Sequence, residues 1–339
     1  MTSNELEERL AVFLQRQYAG AAVRVDNLRL LTGGASRQTW SFDAIIRETD
    51  GETSIPLILR SDPRATPGIV TGKTEFALLQ AAHEAGVPVP KVLFMGDQTF
   101  DVPCMVMERV EGETIPRRLL RDGKYATARK AMTPQLGEIL ARIHRISLDS
   151  PGLKALPDLA GGASPAAYQI DKFEQLYRAI TPDPHPTFEL AFRWLRERAR
   201  TMSKIVPALV HGDFRIGNVI FGPDGARAIL DWEAAHVGDP MEDLGWIAIR
   251  SWRFGNDDAP VGGIGSREEF WRAYEDAGGV VDAERVHFWE AFSNLRWGII
   301  CIIQAKTYLD GRSKSVELAA IGRRVAETEW ELLQFMEEW

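Results

Sequence analysis

The sequence is poor in the residues that form disulfides or bind zinc. It contains two cysteines, Cys104 and Cys301, each inside an apolar stretch, and six histidines, none at a paired metal-ligand spacing. Both cysteines are therefore expected to be buried free thiols in a reducing cytoplasm, and no zinc site is expected. A Gly-x-Ser-x-Gly elbow is also missing, which argues against a serine hydrolase of that type.

Long apolar runs and an excess of positive charge are missing as well. The longest apolar run, Trp297 to Ile303, is far too short to span a bilayer, and the polar, acidic N-terminus does not resemble a signal peptide. The net charge is −8, and residues 1–108 and 109–339 each contribute −4. Because neither part is basic, we expect no nucleic-acid partner and no membrane partner. The lack of a signal peptide and of a bilayer-spanning run predicts a cytoplasmic location. The oligomeric state stays open.

What the sequence does contain is a change of pattern near Glu111 and Gly112. Before this point, alternating and β-branched stretches predict strands over residues 23–31, 38–47, 55–60, 92–95 and 105–110, with helices at the N-terminus and over 73–85. After it, the helical period predicts helices over residues 134–146, 168–180 and 188–202, and a hairpin formed by 219–221 and 228–231. The fold class is therefore α+β, with an antiparallel sheet in an N-lobe (1–108) and a mainly helical C-lobe (109–339).

One segment carries groups suited to phosphoryl transfer. It reads LeuValHisGlyAspPheArgIleGlyAsnValIlePhe over residues 209–221, and IleLeuAspTrpGlu follows over 229–233. Phosphoryl transfer needs a base for the acceptor proton and oxygen ligands for Mg²⁺, and Asp213, Asn218 and Asp231 supply both at the spacing of a kinase catalytic loop. The alternative is a polar hairpin whose Asp and Asn side chains only cap turns, which is the interpretation adopted for Asp224 in GlyProAspGly.

The two motifs HisGlyAspPheArgIleGlyAsn and AspTrpGlu resemble the signature of the aminoglycoside phosphotransferase and choline kinase superfamily, whose fold is the two-lobed fold of protein kinases. The resemblance implies a phosphotransferase that moves the γ-phosphoryl group of ATP or GTP to the hydroxyl of a small molecule. It also implies Asp213 as catalytic base and Asn218 and Asp231 as Mg²⁺ ligands. Arg215 stands where protein kinases keep a Lys near the γ-phosphate, and His211 is expected to be a structural hydrogen-bonding group.

The same resemblance implies a nucleotide site in the N-lobe. The turn LeuThrGlyGlyAlaSerArgGlnThrTrp would lie over the nucleotide phosphates, which Gly33, Gly34 and Ser36 would approach. Arg60 stands where many relatives carry a Lys, and an Arg can reach phosphate oxygens and a carboxylate together. Glu75 would be its partner; the alternative is an exposed first-turn Glu favoured by the helix dipole.

Two further segments are similar to the superfamily. MetValMetGluArgValGluGly (105–112) resembles the hinge between the lobes, where the backbone of Met107, Glu108 and Val110 would meet the adenine. In GlyAspProMetGluAspLeuGlyTrp (238–246), Asp239 and Asp243 are expected to brace the catalytic loop by hydrogen bonds and to do no chemistry.

The aromatic-rich segments at residues 168–177, 268–278 and 288–297 look most like the branch related to kinase domains fused to acyl-CoA dehydrogenases, which implies a hydroxyacyl acceptor. Aminoglycoside, choline-like and sugar acceptors stay compatible with the sequence. A pseudokinase, which would bind nucleotide without turnover, is the main alternative. The presence of Asp213, Asn218 and Asp231 argues against it, while Arg60 in place of Lys keeps it open. A protein kinase is disfavoured because no AlaProGlu-type segment follows Asp231.

Overall fold

The structure is a computed structural model, and it describes residues 2–31, 38–48, 51–62, 70–156, 164–202 and 204–337. Gly33, Gly34 and Ser36, which the sequence assigns to the nucleotide phosphates, lie outside these residues. Within the described ranges, no helix is both long enough and apolar enough to cross a bilayer.

Five strands form one antiparallel sheet near the N-terminus: β1 (Ala22–Leu31), β2 (Gln38–Glu48), β3 (Gly51–Ser61), β4 (Val92–Met95) and β5 (Cys104–Glu108). Their order in the sheet is β1-β2-β3-β5-β4. Successive side chains of a strand point to opposite faces, so Met105 and Met107 of β5 enter one core while Cys104 and Val106 enter another. The sheet is therefore covered on both faces.

Two helices provide that cover. The first, α1 (Ser3–Gln17), begins with the predicted capping box, in which Thr2 N donates to Glu5 Oε2 (2.7 Å) and Glu5 N donates to Thr2 Oγ1 (3.3 Å). Its apolar stripe, which includes Leu10 and Phe13, is fully buried against one face of the sheet. The second, α2 (Gly72–Glu84), packs on the side of β4 and β5.

The remainder of the described chain is mainly helical. The helices are α3 (Pro116–Arg121), α4 (Ala126–His144), α5 (Pro165–Ile180), α6 (Pro186–Thr201), α7 (Met241–Ala248), α8 (Arg267–Asp276), α9 (Ala283–Leu309), α10 (Val316–Ile321) and α11 (Val325–Glu337). Between α6 and α7, β6 (Ala208–Val210) pairs with β9 (His236–Gly238), and β7 (Val219–Gly222) pairs with β8 (Gly225–Ile229). The predicted α+β class, with an antiparallel sheet followed by helices, is confirmed.

Some element boundaries differ from those predicted. The sequence placed the start of a helix at Pro134, a residue favoured in a first turn, whereas α4 begins at Ala126 and Pro134 lies in its interior. The apolar stripe of Met132, Leu136 and Leu140 is completely buried and continues through the proline. Burial of that stripe offsets the hydrogen bond that the proline cannot make.

Both cysteines are buried free thiols, as predicted. Burial raises the pKa of the Cys104 thiol and of the Cys301 thiol to about 12. Neither thiol is therefore a nucleophile at neutral pH, because the thiolate is the reactive form.

Candidate active site

The predicted catalytic loop connects β6 to β7, and its conformation is set by close contacts with residues 230–234, which follow β8. Gly212 has φ +79°, and a Cβ at this position would collide with the carbonyl oxygen of Ala234, so only glycine fits. Leu230 N donates to Asn218 O at 2.8 Å, which draws the end of the β7–β8 hairpin back to the loop. The pairing brings Asp231 beside Asn218, although thirteen positions separate them in sequence.

The carboxylate of Asp213 is surrounded by hydrogen-bond donors. Oδ1 accepts from Arg215 Nε at 3.0 Å and from Trp246 Nε1 at 2.7 Å, and Oδ2 accepts from Asn218 Nδ2 at 2.6 Å. The side chain is 20% exposed, so the group stays within reach of a molecule in the cleft. Three donors hold one carboxylate in one orientation, as a positioned base requires.

His211 is a structural residue, as predicted. Its ring is completely buried, Nε2 lies 3.1 Å from Leu230 O, and Nδ1 accepts from Asp213 N at 3.2 Å. A neutral ring protonated at Nε2 satisfies both contacts. Burial lowers the pKa of His211 below its ordinary value, which favours this neutral form.

Asp243 braces the loop, as predicted. Its carboxylate accepts from the backbone N–H groups of His211 (2.7 Å) and Gly212 (2.9 Å), and from His144 Nε2 (3.1 Å). Burial alone would raise the pKa of Asp243, but the hydrogen bonds and the nearby imidazoles outweigh it and hold the pKa below its ordinary value. His144 Nδ1 in turn lies 2.7 Å from the Tyr274 hydroxyl, so the brace extends to α8.

The same role predicted for Asp239 is wrong. Its carboxylate accepts from Met241 N at 3.0 Å, in the first turn of α7, and pairs with Arg285 Nη1 at 3.0 Å, on α9. These contacts join α7 to α9 and do not reach the catalytic loop. The cause is position: Asp239 precedes α7, while Asp243 is the third residue of α7 and faces the start of the loop that follows β6.

Arg60 links the sheet, α2 and the β7–β8 hairpin. Its Nη1 lies 3.0 Å from Glu75 Oε1, and its Nη2 lies 3.3 Å from Asp231 Oδ1. Glu75 is completely buried, so the predicted pair is confirmed and the alternative of an exposed Glu75 is wrong. Contact between Arg60 and nucleotide phosphates stays a prediction.

Asn218 and Asp231 form a donor set that fits Mg²⁺. The Asn218 amide nitrogen donates to Asp213 O (2.9 Å) as well as to its carboxylate, which leaves the amide oxygen as an available acceptor. Asp231 adds a half-exposed carboxylate and has a left-handed backbone (φ 68°, ψ 59°), a strained conformation that is typical of functional sites. The described residues contain no cluster of three His, Cys, Asp or Glu side chains able to hold a metal, and Mg²⁺ needs few protein ligands when phosphates complete its shell.

The predicted hinge lies where the sheet meets the helices. Met107 is buried in β5, whereas Glu108, the last residue of that strand, is exposed. Beyond it, Glu113 and Phe221 exchange two backbone hydrogen bonds of 2.9 Å, which tie the hinge to β7. Within the described part of the chain, the backbone N–H of Val110 donates to no acceptor, so this donor is available to a ligand.

Two residues of the site were missed by sequence reasoning. Trp246 donates to Asp213, and Arg296 Nη2 donates to Gly212 O at 2.7 Å while its guanidinium lies 4.3 Å from the centre of the Trp246 ring. Trp246 is the last residue of the 238–246 segment, which was predicted to brace the catalytic loop. Its position near the loop was therefore predictable, but its hydrogen bond to Asp213 was not. Nothing in the local sequence of α9 distinguished Arg296 from an ordinary helix-surface arginine.

Comparisons with known proteins agree with this geometry. Acyl-CoA dehydrogenase family member 10 of Mus musculus is 29% identical over 293 residues, which cover 81% of this chain. The chain spans about a quarter of the length of the first curated relatives it matches, 27% in this case. The predicted resemblance to this branch is confirmed.

Solved structures share the fold. A candidate aminoglycoside phosphotransferase from Ralstonia eutropha JMP134 aligns with a TM-score of 0.76 at 21% identity, over 98% of both chains. A thermostable mutant of aminoglycoside phosphotransferase APH(4)-Ia, in a ternary complex with AMP-PNP and hygromycin B, aligns with a TM-score of 0.64 at 16% identity, over 96% of this chain and 98% of the other. The profile of the phosphotransferase enzyme family (APH) matches residues 30–288, and the chain belongs to that family.

Proposed function

We propose that the chain is a Mg²⁺-dependent small-molecule kinase that transfers the γ-phosphoryl group of ATP to an acceptor hydroxyl, with GTP as the alternative donor. The observation that carries the proposal is the Asp213 carboxylate, held by three donors beside Asn218 and Asp231. Residues 1–108 would bind the nucleotide, and residues 109–339 would supply the catalytic loop and the acceptor site. The two buried thiols support a cytoplasmic location.

In this reaction Asp213 accepts the proton of the acceptor hydroxyl as its oxygen bonds to the γ-phosphorus. The bond from that phosphorus to the β–γ bridging oxygen breaks, and the nucleoside diphosphate leaves with those electrons. Asn218 and Asp231 would hold Mg²⁺, which neutralises charge on the phosphates. Arg215 meets the charge on the γ-phosphoryl oxygens.

Nucleotide recognition falls to the sheet and the hinge. The Glu75 carboxylate orients Arg60 toward the phosphates, Val110 N–H donates to the base, and Met107 and Glu108 flank it. Gly33, Gly34 and Ser36 would close over the phosphates. Neighbours solved with AMP-PNP and with GDP support nucleotide use.

For the acceptor, we propose a hydroxyacyl compound. The support is the similarity to acyl-CoA dehydrogenase family member 10, which extends over 81% of this chain. The aminoglycoside phosphotransferase solved with AMP-PNP and hygromycin B keeps an aminoglycoside acceptor in the test panel.

The test is ADP release from MgATP in the presence of a panel of hydroxyl compounds: 3-hydroxybutyryl-coenzyme A, choline, hygromycin B, homoserine and glucose. We expect one of them to stimulate release, and the Asp213→Asn variant to lose that stimulation. The same assay with GTP in place of ATP shows which nucleotide is the phosphoryl donor. The proposal is wrong if no compound stimulates release and the variant matches the parent.

A pseudokinase is the second candidate, and one contact favours it. Arg60 Nη2 lies 3.3 Å from the Asp231 carboxylate that Mg²⁺ would need. If Arg60 keeps this ion pair when nucleotide binds, Asp231 cannot bind Mg²⁺. Calorimetric titration with ATP, with and without Mg²⁺, separates the candidates. A kinase should bind ATP more tightly when Mg²⁺ is present, whereas a pseudokinase should bind ATP with an affinity that Mg²⁺ does not change.

A further inference from the structure

The two oxygens of the Asp213 carboxylate are unequally occupied. Oδ1 accepts two hydrogen bonds, from Arg215 Nε and Trp246 Nε1, while Oδ2 accepts one, from Asn218 Nδ2. Each carboxylate oxygen has two lone-pair positions. Oδ1 is therefore filled, and Oδ2 keeps one position for an incoming hydroxyl.

Trp246 does not act by touching a substrate. The residue is 2% exposed, and its ring contacts the Arg296 guanidinium, 4.3 Å from the ring centre, and the Trp252 ring, at a centroid distance of 5.3 Å. A cation over an indole face draws electron density from the ring and makes its N–H a stronger donor. The only polar atom of the side chain is thus aimed at Asp213.

Arg296 fixes this arrangement from α9. Its Nη2 donates to Gly212 O at 2.7 Å, and its Nη1 pairs with the buried Glu242 at 3.3 Å. The guanidinium therefore holds the backbone of the catalytic loop and the ring of Trp246 at the same time. Ring and loop keep a fixed separation, so the hydrogen bond to Asp213 keeps its length.

From this geometry we infer that Trp246 is a positioning residue that selects Oδ2 of Asp213 as the proton acceptor, by filling Oδ1 together with Arg215. The inference rests on the proposed function. Without the Trp246 donor, Oδ1 would also keep a free lone-pair position, so the carboxylate would no longer present one defined oxygen to the acceptor hydroxyl. The effect falls on the chemical step and spares nucleotide binding.

The experiment compares Trp246→Phe with Trp297→Phe. Trp297 belongs to the same aromatic cluster, with its ring 4.7 Å from that of Trp252, but it makes no contact with Asp213, so the same chemical change there is the matched control. The substrate is MgATP with the most active acceptor of the panel. Hydrolysis of MgATP, in which water is the acceptor, is measured beside it in every variant.

We expect Trp246→Phe to lower kcat by about 10- to 100-fold, since a hydrogen bond to a charged group is lost, while KM for ATP stays within about twofold. Trp297→Phe should keep the parent kcat. Trp246→His, which restores a ring N–H on a smaller ring, should turn over faster than Trp246→Phe. A pure packing role gives the opposite order, because histidine fills the space less well.

Each other outcome is decisive. Parent-like turnover of Trp246→Phe overturns the inference, and so does an equal loss in Trp246→Phe and Trp297→Phe or a parallel rise of KM. The inference also requires the Asp213→Asn variant to be inactive, because Trp246 acts through the Asp213 carboxylate. Parent-like turnover of Asp213→Asn, or no nucleotide consumption in the parent protein, overturns the proposed function and the inference with it.

Discussion

The Arg60 guanidinium joins two carboxylates that come from different elements, Glu75 of α2 and Asp231 after β8. Its Nη1 lies 3.0 Å from the buried Glu75 and its Nη2 lies 3.3 Å from Asp231. A fork-shaped guanidinium can make both contacts at once, whereas the single ammonium of a lysine is a point charge. The arginine at this position thus connects α2 to the segment that follows β8.

Replacing Glu75 should destabilise the fold. In Glu75→Gln, Arg60 loses its buried partner but keeps Asp231, and its side chain is 18% exposed, so we expect the free energy of unfolding to fall by about 2 kcal/mol, less than the 3–5 kcal/mol typical of a fully buried pair. Urea denaturation measures the change. Glu84→Gln, an exposed position on the same helix, is the control, and an equal loss there would contradict the prediction.

Arg60→Lys should weaken nucleotide use. A lysine at this position can pair with Glu75, but its compact ammonium cannot also contact a phosphate oxygen of ATP as the second arm of the guanidinium fork would. We expect KM for ATP to rise by about three- to tenfold, in line with the loss of one charge-assisted contact of about 1 kcal/mol. Steady-state kinetics at fixed acceptor gives the value. An unchanged KM would show that the second contact has no role in nucleotide binding.

Asp213→Ala and Asn218→Ala should fail in different ways. Losing a positioned base costs about 10²–10⁴ in rate, so Asp213→Ala should lose nearly all turnover while its Kd for MgATP stays close to that of the parent. Asn218→Ala should lose rate and also bind MgATP more weakly, because it acts through the metal. Calorimetry and kcat, measured together, separate the two. Asp224→Ala, in the exposed turn between β7 and β8, is the control.

Two buried histidines should give the stability opposite pH dependences. Burial lowers the pKa of His211, so its contribution is complete above the unfolded value near 6.5 and is lost as the pH falls below it. Burial alone would also lower the pKa of His236, but the Glu242 carboxylate 3.1 Å away raises it above that value. The contribution of His236 is therefore complete below pH 6.5 and is lost as the pH rises through the folded-state pKa.

The measurement is urea unfolding of His211→Gln and His236→Gln at pH 5 and pH 8. The destabilisation by His211→Gln should be smaller at pH 5 than at pH 8, and that by His236→Gln should be larger at pH 5. Each variant is the control for the other, since both remove a buried imidazole. Equal pH dependence in the two variants would contradict the assignment of His211 as neutral and His236 as charged.

Local sequence was enough to predict the loop that carries Asp213 and the Arg60–Glu75 pair. It was not enough to predict the long-range contacts that hold the loop in place. The Thr2 capping box, the spacing of Asp213 and Asn218, and the Arg60–Glu75 pair follow from short spacings and from the resemblance to one superfamily. The hydrogen bond from Trp246 to Asp213 spans 33 positions, and that from Arg296 to Gly212 spans 84. Such contacts depend on how α7 and α9 pack, which no local pattern encodes.

The hydrogen-bonded chain from the loop through Asp243 and His144 to Tyr274 has a consequence for how the protein folds. Its links join residues 32, 99 and 130 positions apart. Each must wait for a large loop of chain to close, and contacts of high sequence separation are generally made slowly. The five-stranded sheet, in which three of the four strand pairs join neighbours in sequence, can assemble early, while the loop that carries Asp213 becomes rigid only after α4, α7 and α8 have docked. In refolding followed by hydrogen exchange, the amides of His211 and Gly212 should be among the last to gain protection.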